Sequence, residues 1–75
     1  MLGYTINERQ AGEIAARFLR QHHSISRVKR PVFHGGVWTV EIHVSSPLPR
    51  TIRVQVEAVT GRIVGFEKYI PARGA

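Results

Sequence analysis

From Val37 to Ala58 the chain alternates apolar and polar residues with a period of two, and this pattern limits the fold more than any other feature. The first run is VWTVEIHV and the second is TIRVQVEA. Side chains of a β-strand point alternately to the two faces of a sheet, so each run predicts a strand with one buried face. The intervening SSPLPR contains two prolines, which cannot donate to a strand ladder, and therefore predicts a loop.

A helix ahead of these strands is predicted to cover their apolar face. Its apolar stripe has steps of three and four residues and consists of Ala11, Ile14, Ala15, Phe18, Leu19 and His22. We expect the helix to run from about Asn7 to His22. Asn7 with Gln10 provides a capping box at its start, and Thr5 with Glu8 provides a competing box two residues earlier.

The predicted helix also contains a glycine and a basic face. Gly12 lies in its interior, where glycine costs about 0.5–1 kcal/mol relative to alanine. We expect this cost to be tolerated rather than required by close packing. The face opposite the apolar stripe carries Arg9, Arg17 and Arg20, and Glu13 precedes Arg17 at the i, i+4 spacing that stabilises a helix.

A first strand is predicted before VWTVEIHV. Gly35 and Gly36 supply the positive φ angles of a tight hairpin, so residues from about Arg27 to Phe33 are expected to pair with that strand. Pro31 indicates that this first strand lies at an edge of the sheet, because proline has no N–H for a second neighbour.

The segment VEAVTGRIVGF is interpreted as the turn and second arm of a final hairpin. It lacks the GxxxxGK[ST] and GxGxxG patterns that hold phosphates, whereas Thr60-Gly61 is typical of a turn between strands. A last strand should then run from about Arg62 to Ile70 and end at Pro71. Gly65 within it predicts a β-bulge, which would help to turn Phe66 toward the core.

Together these elements predict an α+β domain in which one N-terminal helix packs on a three- to four-stranded antiparallel meander sheet. A chain of 75 residues supports one hydrophobic core, so residues 1–75 should form a single domain, with 1–5 and 71–75 as loose ends. The predicted core consists of Ile14, Phe18, Trp38, Val40, Ile42, Val54, Val56 and Ile63.

The helix and the final hairpin resemble the PepSY domain. The helix contains AGEIA, an A-xx-IA pattern, and the hairpin IRVQVEAVTGRIVGFE is similar to the family's V-x-V-D-A-x-T-G-x-I. The matching positions are Val54, Val56, Ala58, Thr60, Gly61 and Ile63, with Glu57 where the family usually has aspartate. The resemblance implies a helix packed on an antiparallel sheet, and a non-catalytic module that contacts other proteins, often peptidases or membrane partners.

The sequence predicts neither catalysis nor a metal or other cofactor. The chain has no cysteine, and its five acidic residues are all glutamates scattered over the helix and strands, so no pair of carboxylates is expected in one pocket. The four histidines, at positions 22, 23, 34 and 43, fall on separate elements or diverging faces and are not expected to converge on a metal. No membrane span is predicted, and we expect a cytoplasmic protein.

The charge of the chain supports a nucleic-acid hypothesis. Eleven lysines and arginines against five glutamates give a formal net charge of +6, which attracts polyanions. If Arg30, Arg53 and Arg62 share the sheet face away from the helix, that face would suit a phosphate backbone. The candidate polyanion-binding residues are Arg27, Lys29, Arg30, Arg50, Arg53, Arg62 and Lys68.

The last strand supports the favoured hypothesis, a non-enzymatic module that binds a protein or peptide partner. No later segment is predicted to cover its outer side, so it could pair with a second copy in a homodimer or accept an extended peptide. The candidate edge or dimer contacts are Val64, Phe66, Lys68 and Ile70. Nucleic-acid binding is kept as the alternative.

Overall fold

The computed structural model describes the backbone of residues 6–69 and the side chains of residues 6–67, and it consists of one helix and one antiparallel sheet. The elements in chain order are α1 (Glu8–Arg20), β1 (Ser24–Val28), β2 (Val32–His34), β3 (Val37–Ser46), β4 (Arg50–Glu57) and β5 (Ile63–Tyr69). The predicted α+β class is confirmed. The segments predicted as loose ends, 1–5 and 71–75, lie outside the described residues.

Helix α1 starts at the predicted cap and ends two residues earlier than predicted. The side chain of Asn7 accepts from the Gln10 N–H at 2.8 Å, and the Gln10 side chain accepts from the Asn7 N–H at 2.8 Å, which completes a capping box. Thr5, the competing cap, is outside the described residues. At the other end the N–H groups of His22 and His23 both donate to the Leu19 carbonyl, and this turn leads the chain into β1.

The sheet has five strands, one more than the longest meander predicted. Its order is β1-β3-β4-β5, and β2 also pairs with β3, on the side that β1 occupies. The single strand expected from Arg27 to Phe33 is therefore wrong: Val28 ends β1 and Val32 begins β2. The interruption contains Pro31, which has no N–H to donate, so one continuous ladder along β3 is not possible.

The predicted turns are confirmed. His34 pairs with Val37 across a two-residue loop in which Gly35 and Gly36 both have positive φ, +59° and +80°. Gly61 also has positive φ, +79°, and it closes the turn before β5. The register between β4 and β5 is irregular next to Gly65, as expected for a β-bulge.

The hydrophobic core lies between α1 and the sheet. Four of the eight predicted core residues are completely buried, namely Val40, Ile42, Val54 and Val56. The other four, Ile14, Phe18, Trp38 and Ile63, are partly buried and pack around this centre. The core also includes Ala11, Ala15, Leu19, Val44 and Ile52. Small alanines on the buried stripe let α1 approach the sheet closely.

Two hydrogen bonds near the start of α1 fix its position over the sheet. The Ile6 N–H donates to the Ala58 carbonyl at 2.7 Å, and the Trp38 indole N–H donates to the Ile6 carbonyl at 3.0 Å. With its start held there, α1 lies over β1, β3 and β4. Strand β5 is left at the side of the sheet that the helix covers least.

The stability cost of the glycine inside α1 can be tested by substitution of Gly12. A Cβ added there would lie 3.8 Å from Pro31 Cγ and 3.9 Å from Val28 Cγ1, ordinary van der Waals distances, so the expectation of tolerance is confirmed. We expect Gly12→Ala to raise the free energy of unfolding by about 0.5–1 kcal/mol, measured by urea denaturation. Gly61→Ala is the opposing control, because its positive φ should cost about 1–2 kcal/mol. A Gly12→Ala protein less stable than the parent would contradict this account.

Candidate interaction surfaces

The sheet face away from the helix carries a row of alternating charges. Glu41, Arg53 and Glu67 stand directly opposite one another on β3, β4 and β5, because the register pairs Glu41 with Arg53 and Arg53 with Glu67. Arg53 Nη2 donates to Glu41 Oε2 at 3.0 Å, and Arg53 Nη1 lies 3.7 Å from Glu67 Oε1. Lys29 Nζ lies 3.6 Å from Glu41 Oε1 and adds a second cation.

These contacts change the acidity of Glu41. The hydrogen bond from Arg53 lowers the pKa of the Glu41 carboxyl group, and the positive charge of Lys29 lowers it further, while burial opposes both effects. Glu41 therefore stays ionised between its two cations. Because the Glu41 side chain is 33% exposed, solvent screening keeps the stabilisation from these ion pairs small.

Of the three arginines proposed to share the outer sheet face, Arg30 and Arg53 are brought together and Arg62 is not. Arg30 and Arg53 line a cavity of about 450 Å³ with Lys29 and Glu41. Arg30 Nε donates to Glu8 Oε2 at 3.0 Å, which directs its guanidinium to the first turn of α1. Arg62 follows the turn at Gly61, where its carbonyl accepts from the Glu57 N–H at the far end of β4. Arg53 remains on the outer face within its glutamate row. A basic sheet face that includes all three arginines is therefore not formed, although Arg30 and Arg53 lie close together.

Two other candidate cations lie at the opposite end of β4 from Arg62. Arg27 pairs in register with His43, and both line a shallow groove of about 430 Å³ together with Arg50 and Thr51. The Nε atom of Arg50 is buried there and has no hydrogen-bond partner among the described residues. The described candidate polyanion-binding residues thus form two groups, Lys29 with Arg30 and Arg53, and Arg27 with Arg50, while Arg62 lies apart. The Lys68 side chain is outside the described part of the structure.

Strand β5 forms one side of the sheet, as predicted for the last strand. Phe66 stands opposite Val54 and faces the helix side, where its ring centroid is 5.5 Å from that of Phe18 in an edge-to-face arrangement. Phe66 is nevertheless 49% exposed, and Val64 is 54% exposed. Of the other two candidate contacts, Lys68 pairs with Ile52 in register, and Ile70 is outside the described residues.

A further surface was not among the candidate sites predicted from the sequence. A groove of about 570 Å³ runs between α1 and β1. It is lined by Arg9, Gly12, Glu13, Ala16, Arg17, Arg20 and Val28, and we call it the helix groove. The basic helix face was readable from the sequence, but its position beside β1 depends on how the helix packs.

The histidines stay apart in the described structure. His43 Nδ1 lies 3.0 Å from the Thr51 hydroxyl oxygen, and His23 Nδ1 lies 3.3 Å from the Ser46 carbonyl oxygen. Among residues 6–69 no group of three or more histidine, cysteine or acidic side chains is placed to hold a metal ion. Within the same residues, no helix has the length and apolar character needed to cross a membrane.

Comparison with known proteins adds no relative. No family model, no curated protein and no solved structure matches this chain. The likeness to PepSY domains therefore stays a prediction that rests on the hairpin and helix residues alone.

The charge row predicts a pH dependence of stability. The pKa of Glu41 is lower in the folded state than its ordinary value of 4.5, so its stabilising effect is present above that value and is lost as pH falls through the folded-state pKa. We expect Glu41→Gln to lower the free energy of unfolding at pH 7 by about 0.5 kcal/mol and to weaken the decline in acid.

The measurement is urea denaturation at a series of pH values from neutral to acid. Glu13→Gln is a matched control, because Glu13 is exposed on α1 and has no ion pair in the described part of the chain. Equal acid sensitivity of the parent and Glu41→Gln proteins would show that the row contributes nothing to folding.

Proposed function

We propose that this protein is a non-enzymatic module that binds an extended segment of a partner protein, including a second copy of itself, along the outer edge of β5. The observation that carries the proposal is the position of this strand. β5 pairs with β4 on one side, and no described strand pairs with its other side. An edge strand presents a row of backbone N–H and C=O groups that an added strand can satisfy.

The side chains of the edge favour a partner over solvent. Val64 and Phe66 are each about half exposed, which leaves apolar area that a bound segment would remove from water. Phe66 also has the ring of Phe18 beside it, so an occupant would meet two aromatic groups rather than one. Because α1 lies over β1, β3 and β4, the helix does not fill this position itself.

The register of β5 indicates where pairing would be regular. From Gly65 to Tyr69 the strand pairs in step with residues 51–55 of β4, and the irregularity is confined to its first two residues. A partner strand would therefore align in regular register from Gly65 onward, with the exposed Val64 at the start of the paired stretch. Main-chain hydrogen bonds would provide affinity there, and the side chain placed next to Phe66 would provide selectivity.

Nucleic-acid binding is less well supported as the main function. Three of the seven candidate cations are already paired, because Lys29 and Arg53 contact Glu41, and Arg30 contacts Glu8. A phosphate backbone would have to compete with these glutamates for the same cations. Of the remaining candidates, Arg27 and Arg50 line one groove and Arg62 lies at the other end of β4, so the described cations form no continuous track for phosphates.

Self-association through β5 has a direct test. We expect sedimentation velocity of the parent protein to shift from the 8.4 kDa monomer toward a dimer as its concentration rises. Val64→Lys should abolish this shift, because a charge on the edge disfavours pairing. Val59→Lys is the matched control, since Val59 is 63% exposed in the turn before β5 and off the edge. Equal loss in both variants would contradict a role for the edge.

Pairing with a separate segment is tested with a fluorescent peptide of sequence IVGFEKY, which copies β5. We expect the parent and Val59→Lys proteins to raise its fluorescence anisotropy, and the Val64→Lys protein to bind it about tenfold more weakly or not at all. A parent protein that stays monomeric at all concentrations and leaves the peptide unbound would overturn the proposed function.

A further inference from the structure

The helix groove has a floor of small and apolar residues. Ala16 is 3% exposed and Val28 is 39% exposed, and between them Gly12 presents no side chain. This floor lies where α1 passes over the outer side of β1, away from β5. The groove is therefore a surface separate from the edge described above.

The wall of the helix groove is basic, and its arginines are not neutralised. Arg9, Arg17 and Arg20 are exposed on α1. In contrast to Lys29, Arg30 and Arg53, none of the three has an ion pair with a described carboxylate. Glu13 lies between Arg9 and Arg17 on the same wall, so the groove presents positive, negative, positive and positive charge in that order along the helix.

We propose that the helix groove binds an extended acidic peptide segment of a partner protein, with its carboxylates on Arg9, Arg17 and Arg20 and an apolar side chain on the floor. Guanidinium groups match carboxylates in a two-pronged geometry, which favours arginine for this task. The proposal does not depend on the β5 edge, and either can fail without the other.

The spacing of the arginines fits a strand. Arg9 and Arg17 are eight residues apart, about 12 Å along a helix, and Arg20 lies about 4.5 Å further. Residues four apart on an extended chain are separated by about 13 Å, and residues two apart by about 6.6 Å. A segment with acidic residues at its first, fifth and seventh positions matches this order. Its third position then meets Glu13 and the floor, where a carboxylate would be repelled and an apolar group accepted.

The floor favours a polypeptide over a nucleic acid. A phosphate backbone places an anion at every step and would set charged oxygens against Gly12, Ala16 and Val28, where no polar partner is available. Glu13 would repel the same backbone. The unpaired outer side of β1 offers some backbone hydrogen bonds, although two register irregularities in β1 interrupt regular pairing, so the arginines provide most of the selectivity.

The test is fluorescence anisotropy of a labelled peptide, ETVTETE, titrated with the full chain at low salt. A second peptide, QTVTQTQ, has the same shape without the charges. We expect ETVTETE to bind and QTVTQTQ to bind at least about tenfold more weakly.

Arg17→Ala combined with Arg20→Ala should weaken ETVTETE binding by about tenfold or more. Arg27→Ala combined with Arg62→Ala, which removes the same charge outside the groove, should leave it nearly unchanged.

Gly12→Leu tests the floor without any change of charge. It places a side chain in the groove at a position where helix formation is not harmed, and circular dichroism checks that the fold is kept. We expect it to abolish peptide binding, whereas Val64→Lys should not affect it.

Equal weakening by the two arginine pairs, or full binding by the Gly12→Leu protein, would overturn the proposal. Duplex DNA that binds more tightly than the peptide and depends on Arg17 and Arg20 would also overturn it, in favour of a phosphate ligand.

Discussion

Strand β3 is the element on which the rest of the structure depends. Its ten residues pair with β4 along one side, and with β1 and β2 in succession along the other. Val40 and Ile42, at its centre, are completely buried under α1. Because the helix packs on this centre, it covers β1 and β4 beside β3 and leaves β5, two strands away, with an open side. The candidate edge site is thus a consequence of where the longest strand lies.

The register of the strands that pair with β3 also determines which charged side chains form ion pairs. Glu41 is held opposite Arg53, and the next strand places Glu67 beside the same arginine, so the middle of the outer face is internally neutralised. Of the five glutamates, Glu8 and Glu13 lie on α1, and Glu8 is paired with Arg30. Arg9, Arg17 and Arg20 have no ion pair with a described carboxylate, so α1 places three unpaired positive charges along the helix groove.

Features that depend on local pattern were predictable from the sequence, whereas those that depend on packing were not. The alternation around Val40 and Val54 predicted the strands, and the cap at Asn7 predicted the start of the helix. Both signals are properties of residues that are neighbours in the sequence. The division of the predicted first strand at Pro31 could not be read from the sequence, because it depends on how this segment pairs with the two halves of β3. Pro31 correctly indicated a strand at the edge of the sheet. Where a proline interrupts the ladder depends, however, on the strand with which its segment pairs.

The placement of the charges shows the same limit. Sequence spacing assigned Arg30 to the outer face with Arg53, but Glu8 lies 22 residues earlier and captures the Arg30 guanidinium across the fold. Likewise the basic face of α1 was visible, while the groove beside it exists only because β1 ends near Gly12 and Ala16. No local signal encodes either contact, so the ion pair of Arg30 with Glu8 was not predicted and the helix groove was missed.

The two sides of the sheet differ in a way that suits the two different partners proposed for them. On the side of β1 and β2, Pro31 and two register irregularities interrupt the row of backbone groups, which is how natural sheets discourage strand addition. On that side, a partner would be recognised by side chains rather than by backbone groups. The side chains that α1 places there are the arginines of the helix groove. On the side of β5, the ladder is regular from Gly65 onward, and the apolar side chains of Val64 and Phe66 are exposed beside the charged Glu67. That side is suited to backbone pairing, so the two proposed sites would take partners of different chemistry without competition between them.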